Sequence, residues 1–298
     1  MNGVVSKLAL ALIMAGALAL TGCNSGTGTS GSHAGASAPA AAASSQPKAD
    51  TSAKTSGAPT AAAIKKAADE VDTDAIADHA DDSENWLTYG GGYSSRHFSA
   101  LEQIDTDNVG KLGLAWSFNL GSTHHGVEAI PVVVGGVMYV TTPWNIIYAL
   151  DATTGKKIWS YDPKTPRTIG YKGCCDVSNR GAAVYKGKVY EVTYDGRLIA
   201  LDAATGKLIW TTDTLPQGKH HYYTANAAPL VADGKVVIGN GGAEYAGVRG
   251  YVSAYDAETG KLDWRWYTVP GNPDQPYENE AMKKAAKTWD PKTKYWTK

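Results

Sequence analysis

From residue 131 onward the chain is written in short apolar runs separated by turns that carry glycine and aspartate. Pro131-Val-Val-Val134 leads through Gly135-Gly136 into Val137 to Thr141. Ile146 to Leu150, the turn Asp151 to Gly155, and Lys156 to Trp159 complete the unit. A second unit repeats the order with Ala182 to Tyr185, Lys188 to Thr193, Leu198 to Leu201 and Lys207 to Trp210. Runs of four to six residues, rich in β-branched and aromatic types and bounded by turn residues, predict strands. Asp and Thr favour the turn by bonding local backbone, and Gly supplies its positive φ.

One phrase marks the period. It reads Ala149-Leu-Asp-Ala-Thr-Thr-Gly-Lys-Lys-Ile-Trp159, then Ala200-Leu-Asp-Ala-Ala-Thr-Gly-Lys-Leu-Ile-Trp210, then Ala254-Tyr-Asp-Ala-Glu-Thr-Gly-Lys-Leu-Asp-Trp264, with Trp spacings of 51 and 54 residues. Four strands per repeat of this length predict the four-stranded blades of an all-β propeller. The repeated Asp, Gly and Trp then read as mortar between blades rather than as chemistry. The 213 residues from Trp86 to the C-terminus amount to about four blades, and a helix is expected over Glu278 to Thr288. No strand in the tail looks able to close a ring, so the chain reads as the N-terminal part of a larger propeller.

The N-terminus reads differently. Lys7, the 13-residue apolar run Leu8 to Leu20, and Leu20-Thr-Gly-Cys23 form an export signal too short to span a membrane. Its end resembles a bacterial lipobox, which implies a lipid anchor at Cys23 and a periplasm-facing protein. Asn24 in the following position mildly favours the outer membrane. Residues 24–63 contain small and polar types plus Pro, too little apolar surface to offset chain entropy, and predict a flexible tether. Ile64 to Ala80 has modest helical character. The expected organisation is therefore signal peptide and lipobox over 1–23, low-complexity linker over 24–80 and partial propeller over 81–298.

Net charge is −1, which leaves no basic field for nucleic acid. Besides Cys23 the only cysteines are the neighbours Cys174 and Cys175. Bridged residues normally have Cα atoms roughly 4.4–6.8 Å apart, whereas chain neighbours sit at about 3.8 Å. A bridge between them would close a strained ring with almost no effect on chain entropy. Two readings follow: a pair of reduced thiols, or an oxidised pair serving local shape or redox chemistry in the compartment the export signal implies. His124-His125 and His220-His221 have no Cys or carboxylate at ligand spacing and read as loop histidines. No Cys-x-x-Cys-His motif occurs, so no haem attaches within these residues.

The repeat, Gly173-Cys-Cys-Asp-Val-Ser-Asn-Arg180 and Gly241-Gly-Ala-Glu-Tyr-Ala-Gly-Val-Arg-Gly250 together resemble the pyrroloquinoline-quinone (PQQ) alcohol dehydrogenases, the methanol and ethanol dehydrogenase group. Asn85-Trp86, Gly90, Phe98-Ser99, Ile104, Asn108-Val109 and Leu112 also fit that family's N-terminal signature, with departures at Gly91, Asp105 and Gly113. The resemblance runs from Asn85 to Lys298 and implies about half of an eight-bladed propeller. It implies that Cys174 and Cys175 form a vicinal disulfide, the floor on which PQQ stacks. Arg180 would bind a PQQ carboxylate, a task suited to a planar cationic fork, and Glu128 would bind the cofactor at a strand start. Gly242 and Ala243 would admit backbone close to it. Asn226 stands where the family commonly has Thr, with Thr224 two residues earlier, so that contact stays open between the two. Glu244 would ligate Ca²⁺ or a lanthanide, both hard cations suited to carboxylate oxygen.

The family's reaction is oxidation of primary alcohols to aldehydes, with hydride passed to PQQ and electrons to a cytochrome-type acceptor. Its second metal ligand, catalytic Asp base and facing Trp would lie beyond Lys298, which implies that these residues alone do not turn over a substrate. The alternative is a non-catalytic propeller lipoprotein acting as an outer-membrane assembly scaffold. Such a protein has no reason to carry Cys-Cys together with Gly-Ala-Glu.

Overall fold

The structure is a computed structural model that describes residues 57–79, 82, 84–121, 126–173, 175–216, 222–243, 245, 247–272 and 274–289. Twelve strands form three four-stranded antiparallel sheets. The first contains β1 (Val132–Val134), β2 (Val137–Thr141), β3 (Ile147–Asp151) and β4 (Lys157–Tyr161). The second contains β5 (Ala183–Tyr185), β6 (Lys188–Val192), β7 (Arg197–Asp202) and β8 (Leu208–Asp213). The third contains β9 (Leu230–Ala232), β10 (Lys235–Gly239), β11 (Tyr251–Asp256) and β12 (Leu262–Tyr267). In each sheet the strands pair in chain order, as successive hairpins require. These are propeller blades, and in the first two the strands fall within three residues of the sequence expectation.

Turn chemistry sets the register. Two residues join the first strand of each blade to the second: Gly135-Gly136, Lys186-Gly187 and Asp233-Gly234, all with positive φ. Positive φ at both positions matches the twist of the flanking strands and aligns every side chain on its face.

The eleven-residue phrase works between blades. Within the turn, Thr154, Thr205 and Thr259 donate their hydroxyls to Asp151, Asp202 and Asp256 at 2.6, 2.7 and 2.8 Å. The first two Trp then reach the next blade: Trp159 Nε1 donates to the Ala203 carbonyl at 3.0 Å and Trp210 Nε1 to that of Ala257 at 3.3 Å. A Cβ on Gly206 or Gly260 would fall 2.6 or 2.7 Å from the docked indole, so glycine serves both the turn and the ring stacked on it. Trp116, outside the phrase, makes the same bond to Ala152 at 3.0 Å. The sequence expectation missed this docking residue because Trp116 lacks the Asp-x-x-Thr-Gly turn that sets the period.

The linker expectation is corrected at its C-terminal end. Two helices, α1 (Ala61–Asp69, capped by Thr60) and α2 (Thr73–Ala77, capped by Asp72), lie within residues 24–80. Ile64, Ala68, Val71 and Ile76 are buried in the same core as the blades. The Lys186 and Gly187 N–H groups donate to the Val71 and Ala68 carbonyls at 2.8 Å, and the Asp233 N–H donates to Thr73 Oγ1 at 2.8 Å. These residues therefore clasp the first hairpins of the second and third blades. Short helices gain stability mainly by packing an apolar face, and composition alone does not reveal what covers that face. At the other end, α3 (Glu280–Ala286, capped by Asn279) lies inside the expected helix.

Candidate cofactor-binding site

Because the helical clasp covers the turns that end β1, β5 and β9, the segments that lead into these strands lie at their opposite ends. Three lead-ins meet there, one per blade. Glu128 precedes β1, Arg180 precedes β5 and Asn226 precedes β9. Arg180 NH2 stands 3.0 Å from Glu128 Oε2, with both side chains a little under half exposed. The Arg180 N–H donates to the Asn226 carbonyl at 2.9 Å. Three sequence-predicted residues from three blades are thus joined in a row.

The row is held from below by Asn179, which is buried. Its Oδ1 accepts from Thr141 Oγ1 at 2.6 Å and from the Gly181 N–H at 2.9 Å, while its Nδ2 donates to the Val192 carbonyl at 3.2 Å. A buried amide satisfied on both sides fixes the backbone on which Arg180 stands. The guanidinium itself stays accessible. An exposed pair of this kind contributes about 0–1 kcal/mol, so an anionic ligand can compete for the fork at little expense.

Gly242 has a different reason to be glycine from the one the sequence suggested. Its φ is +93°, and a Cβ there would lie 1.9 Å from the Tyr222 carbonyl oxygen. The close approach is to the protein's own backbone. Next to it, Thr224 and Gly241 form an antiparallel bridge, with the Gly241 N–H donating to the Thr224 carbonyl at 2.7 Å. Tyr245 stacks on Tyr222 with ring centroids 4.7 Å apart. The lead-in to β9 therefore holds the segment that follows β10, where Ala243 is exposed. Glu244 lies outside the described residues. Thr224 is buried beneath the bridge while Asn226 is only partly buried, so Asn226 is the more accessible of the two open alternatives.

Cys175 is exposed and is a free cysteine in the structure; Cys174 lies outside the described residues, as do Cys23 and both His pairs. The floor under this segment is a feature that sequence reasoning missed. Trp144, at φ +65°, donates its N–H to the Val177 carbonyl at 3.2 Å, and Tyr194 donates its hydroxyl to the Gly170 carbonyl at 3.3 Å. A Cβ on Gly173 would fall 2.3 Å from that hydroxyl. Trp144, Val177 and Tyr194 form their own small apolar cluster. Pro143-Trp-Asn145, an aromatic between two strands and flanked by turn formers, was the only sequence signal for it.

The donor set fits a planar anionic ligand. Arg180 offers a permanently charged, partly exposed fork, and the partly buried Asn226 stands beside it through the backbone bond between them.

Residues 86–297 match the family model described as the β-propeller domain of PQQ glucose, ethanol and alcohol dehydrogenases. The quinohemoprotein alcohol dehydrogenase of Comamonas testosteroni is 54% identical over 236 residues, 79% of this chain and 33% of the relative. Its crystal structure superposes with a TM-score of 0.76, covering 79% of this chain and 35% of that one at 55% identity. A 1-butanol dehydrogenase (cytochrome c) of Thauera butanivorans is 51% identical, covering 69% of this chain and 29% of that protein. A europium-containing methanol dehydrogenase is 39% identical with a TM-score of 0.60, covering 67% of this chain and 34% of that one. The chain thus spans about a third of the length of the curated relatives it matches.

Proposed function

Because the chain belongs to the glucose/ethanol/alcohol dehydrogenase β-propeller family of PQQ proteins, we propose that it forms the N-terminal half of the propeller of a PQQ-dependent alcohol dehydrogenase. The reaction is oxidation of a small primary alcohol to its aldehyde, with a cytochrome-type protein as the final electron acceptor. The observation that carries this reading is the row Glu128–Arg180–Asn226, three family-matched positions brought together from three blades.

When bound, PQQ supplies the two-electron acceptor, and Ca²⁺ or a lanthanide supplies the Lewis acid that polarises it. Arg180 binds a carboxylate of the cofactor through its fork. Glu128 orients the guanidinium and limits its swing into solvent. Asn226 would donate a further hydrogen bond, Cys174 and Cys175, once oxidised to a vicinal disulfide, would provide the stacking floor, and Glu244 would ligate the metal. The catalytic base, the second metal ligand and the wall facing the floor would come from propeller segments other than those described. The full-length product, reconstituted with PQQ and either Ca²⁺ or La³⁺, is expected to reduce an artificial dye only when an alcohol is present. Absence of turnover with both ions sinks the enzyme reading.

The same reading places the protein in the periplasm, lipid-anchored through Cys23 and sorted to the outer membrane. Radiolabelled palmitate is expected to enter the wild-type chain and not Cys23→Ala, which is then released as a soluble or signal-bearing form. Equal labelling of the two would remove the anchor from the proposal.

A further inference from the structure

Glu191 lies in the middle of the second blade, on β6, and takes no part in the proposed site. Its relative exposure is 0%, and neither carboxyl oxygen has a partner at full hydrogen-bond geometry, the Asn145 amide being close enough only to act weakly on it. A carboxylate sealed in this way loses its hydration with little replacement, at an expense of several kcal/mol, unless it keeps its proton. Burial accordingly pushes its carboxyl well above the usual range; the nearby Asn145 amide and Arg197 guanidinium act in the opposite sense and do not outweigh it.

The charged and titratable neighbours do not provide a partner. Arg197, on β7, is already engaged: Nε donates to Asp195 at 2.9 Å and NH2 to the Pro163 carbonyl at 3.0 Å. Asp195, in the turn before β7, is the anion of that pair. On the facing blade, Tyr161 ends β4 as a phenol whose pKa is raised chiefly by burial, and Asp162 after it pairs with Lys164 at 2.9 Å.

What surrounds Glu191 along its own strand is the joint between the first two blades. The carbonyl of Val192, the next residue, accepts from both Asn179 Nδ2 (3.2 Å) and Asn145 Nδ2 (3.4 Å). Asn145 Oδ1 accepts from the Tyr194 N–H at 2.8 Å and from Thr165 Oγ1 at 3.2 Å. Tyr194 and the adjacent Trp144 then hold the segment 167–179, which leads directly to Arg180. The Asn145 amide, which also acts on the Glu191 carboxyl, is thus part of the bonding that closes this joint.

We propose that Glu191 is a proton-dependent latch on the joint between the first and second blades, and that loss of its proton loosens the segment carrying Cys175 and Arg180. The sign follows from linkage. The folded state holds the proton more tightly than the opened one, so the contribution of Glu191 to the closed joint is complete below the ordinary carboxylate pKa. It is lost as pH rises through the raised value. The mechanism requires neither PQQ nor metal and stands apart from the proposed reaction.

The test is hydrogen exchange, read by mass spectrometry on the full-length protein without added cofactor from about pH 5 to about pH 9. In the wild type, after correction for intrinsic exchange, protection of peptides covering 143–146 and 165–180 is expected to fall about tenfold per pH unit between the two pKa values. Glu191→Gln, a neutral isostere, is expected to remove that slope. Glu191→Met serves the same purpose should the glutamine variant fail to fold. An equal slope in wild type and variant overturns the proposal. So does an infrared spectrum of the folded wild type at neutral pH that lacks the carbonyl stretch of a protonated carboxyl assignable to Glu191 by its loss in either variant.

Discussion

Gly242→Ala is expected to displace the segment after β10 and to weaken metal binding by the full-length protein about 10- to 100-fold, the range typical when the groups that orient a metal ligand are disturbed. A Cβ at this position would stand 1.9 Å from the Tyr222 carbonyl oxygen, a backbone atom that has no rotamer by which to retreat. The backbone conformation adds to this, because φ is +93°. Strain of about 1–3 kcal/mol for the dihedral and about 1–3 kcal/mol for overpacking together predict a stability loss of about 2–6 kcal/mol. Gly247 is the matched control: its φ is +85°, but an added Cβ would meet nothing within 4 Å, so alanine there meets only the dihedral strain. Urea unfolding of both variants, with Ca²⁺ titration of the PQQ-loaded protein, separates the two contributions. Equal losses at Gly242 and Gly247 would show that the contact with Tyr222 carries no weight.

Arg180→Met is expected to weaken PQQ retention by about one to two orders of magnitude while leaving the fold intact. A charge-assisted hydrogen bond contributes roughly 1.5–3 kcal/mol, so loss of the fork predicts about 10- to 150-fold weaker binding by equilibrium dialysis. The side chain is 44% exposed, and its pair with the 43% exposed Glu128 is screened by solvent. Thermal stability should therefore change by less than about 1 kcal/mol. Arg180→Lys keeps the charge and loses the planar fork, and is expected to recover only part of the affinity. If lysine binds PQQ as well as arginine does, bidentate recognition is the wrong description. If methionine does, Arg180 has no cofactor role.

The contrast between these residues shows what kind of information each stretch of sequence held. The turn Asp-x-x-Thr-Gly is closed by bonds between residues three or four apart, such as Asp256 with Thr259 and Gly260. Such turns repeat in the sequence because they repeat in space, and the strands flanking them were legible for the same reason. Arg180 and Cys175 were found by motif, and the structure then brought Arg180 to Glu128, 52 positions earlier in the chain, without any local signal for that pairing. For Gly242, nothing near it in sequence shows that the Tyr222 carbonyl lies against it.

By itself, then, the sequence determined the blade period, the strands and turns of each blade, and the family-matched positions, because each of these is set by residues within a few places of one another. Only the tertiary structure decided that residues 61–77 clasp the blade hairpins, that Trp159 and Trp210 dock on a carbonyl of the following blade, and that Glu128, Arg180 and Asn226 stand in a row. It also decided that Glu191 is sealed without a partner at full hydrogen-bond geometry. The physical reason is common to all four: burial and long-range hydrogen bonding depend on which surfaces meet, and a surface is defined only once separate blades have packed together.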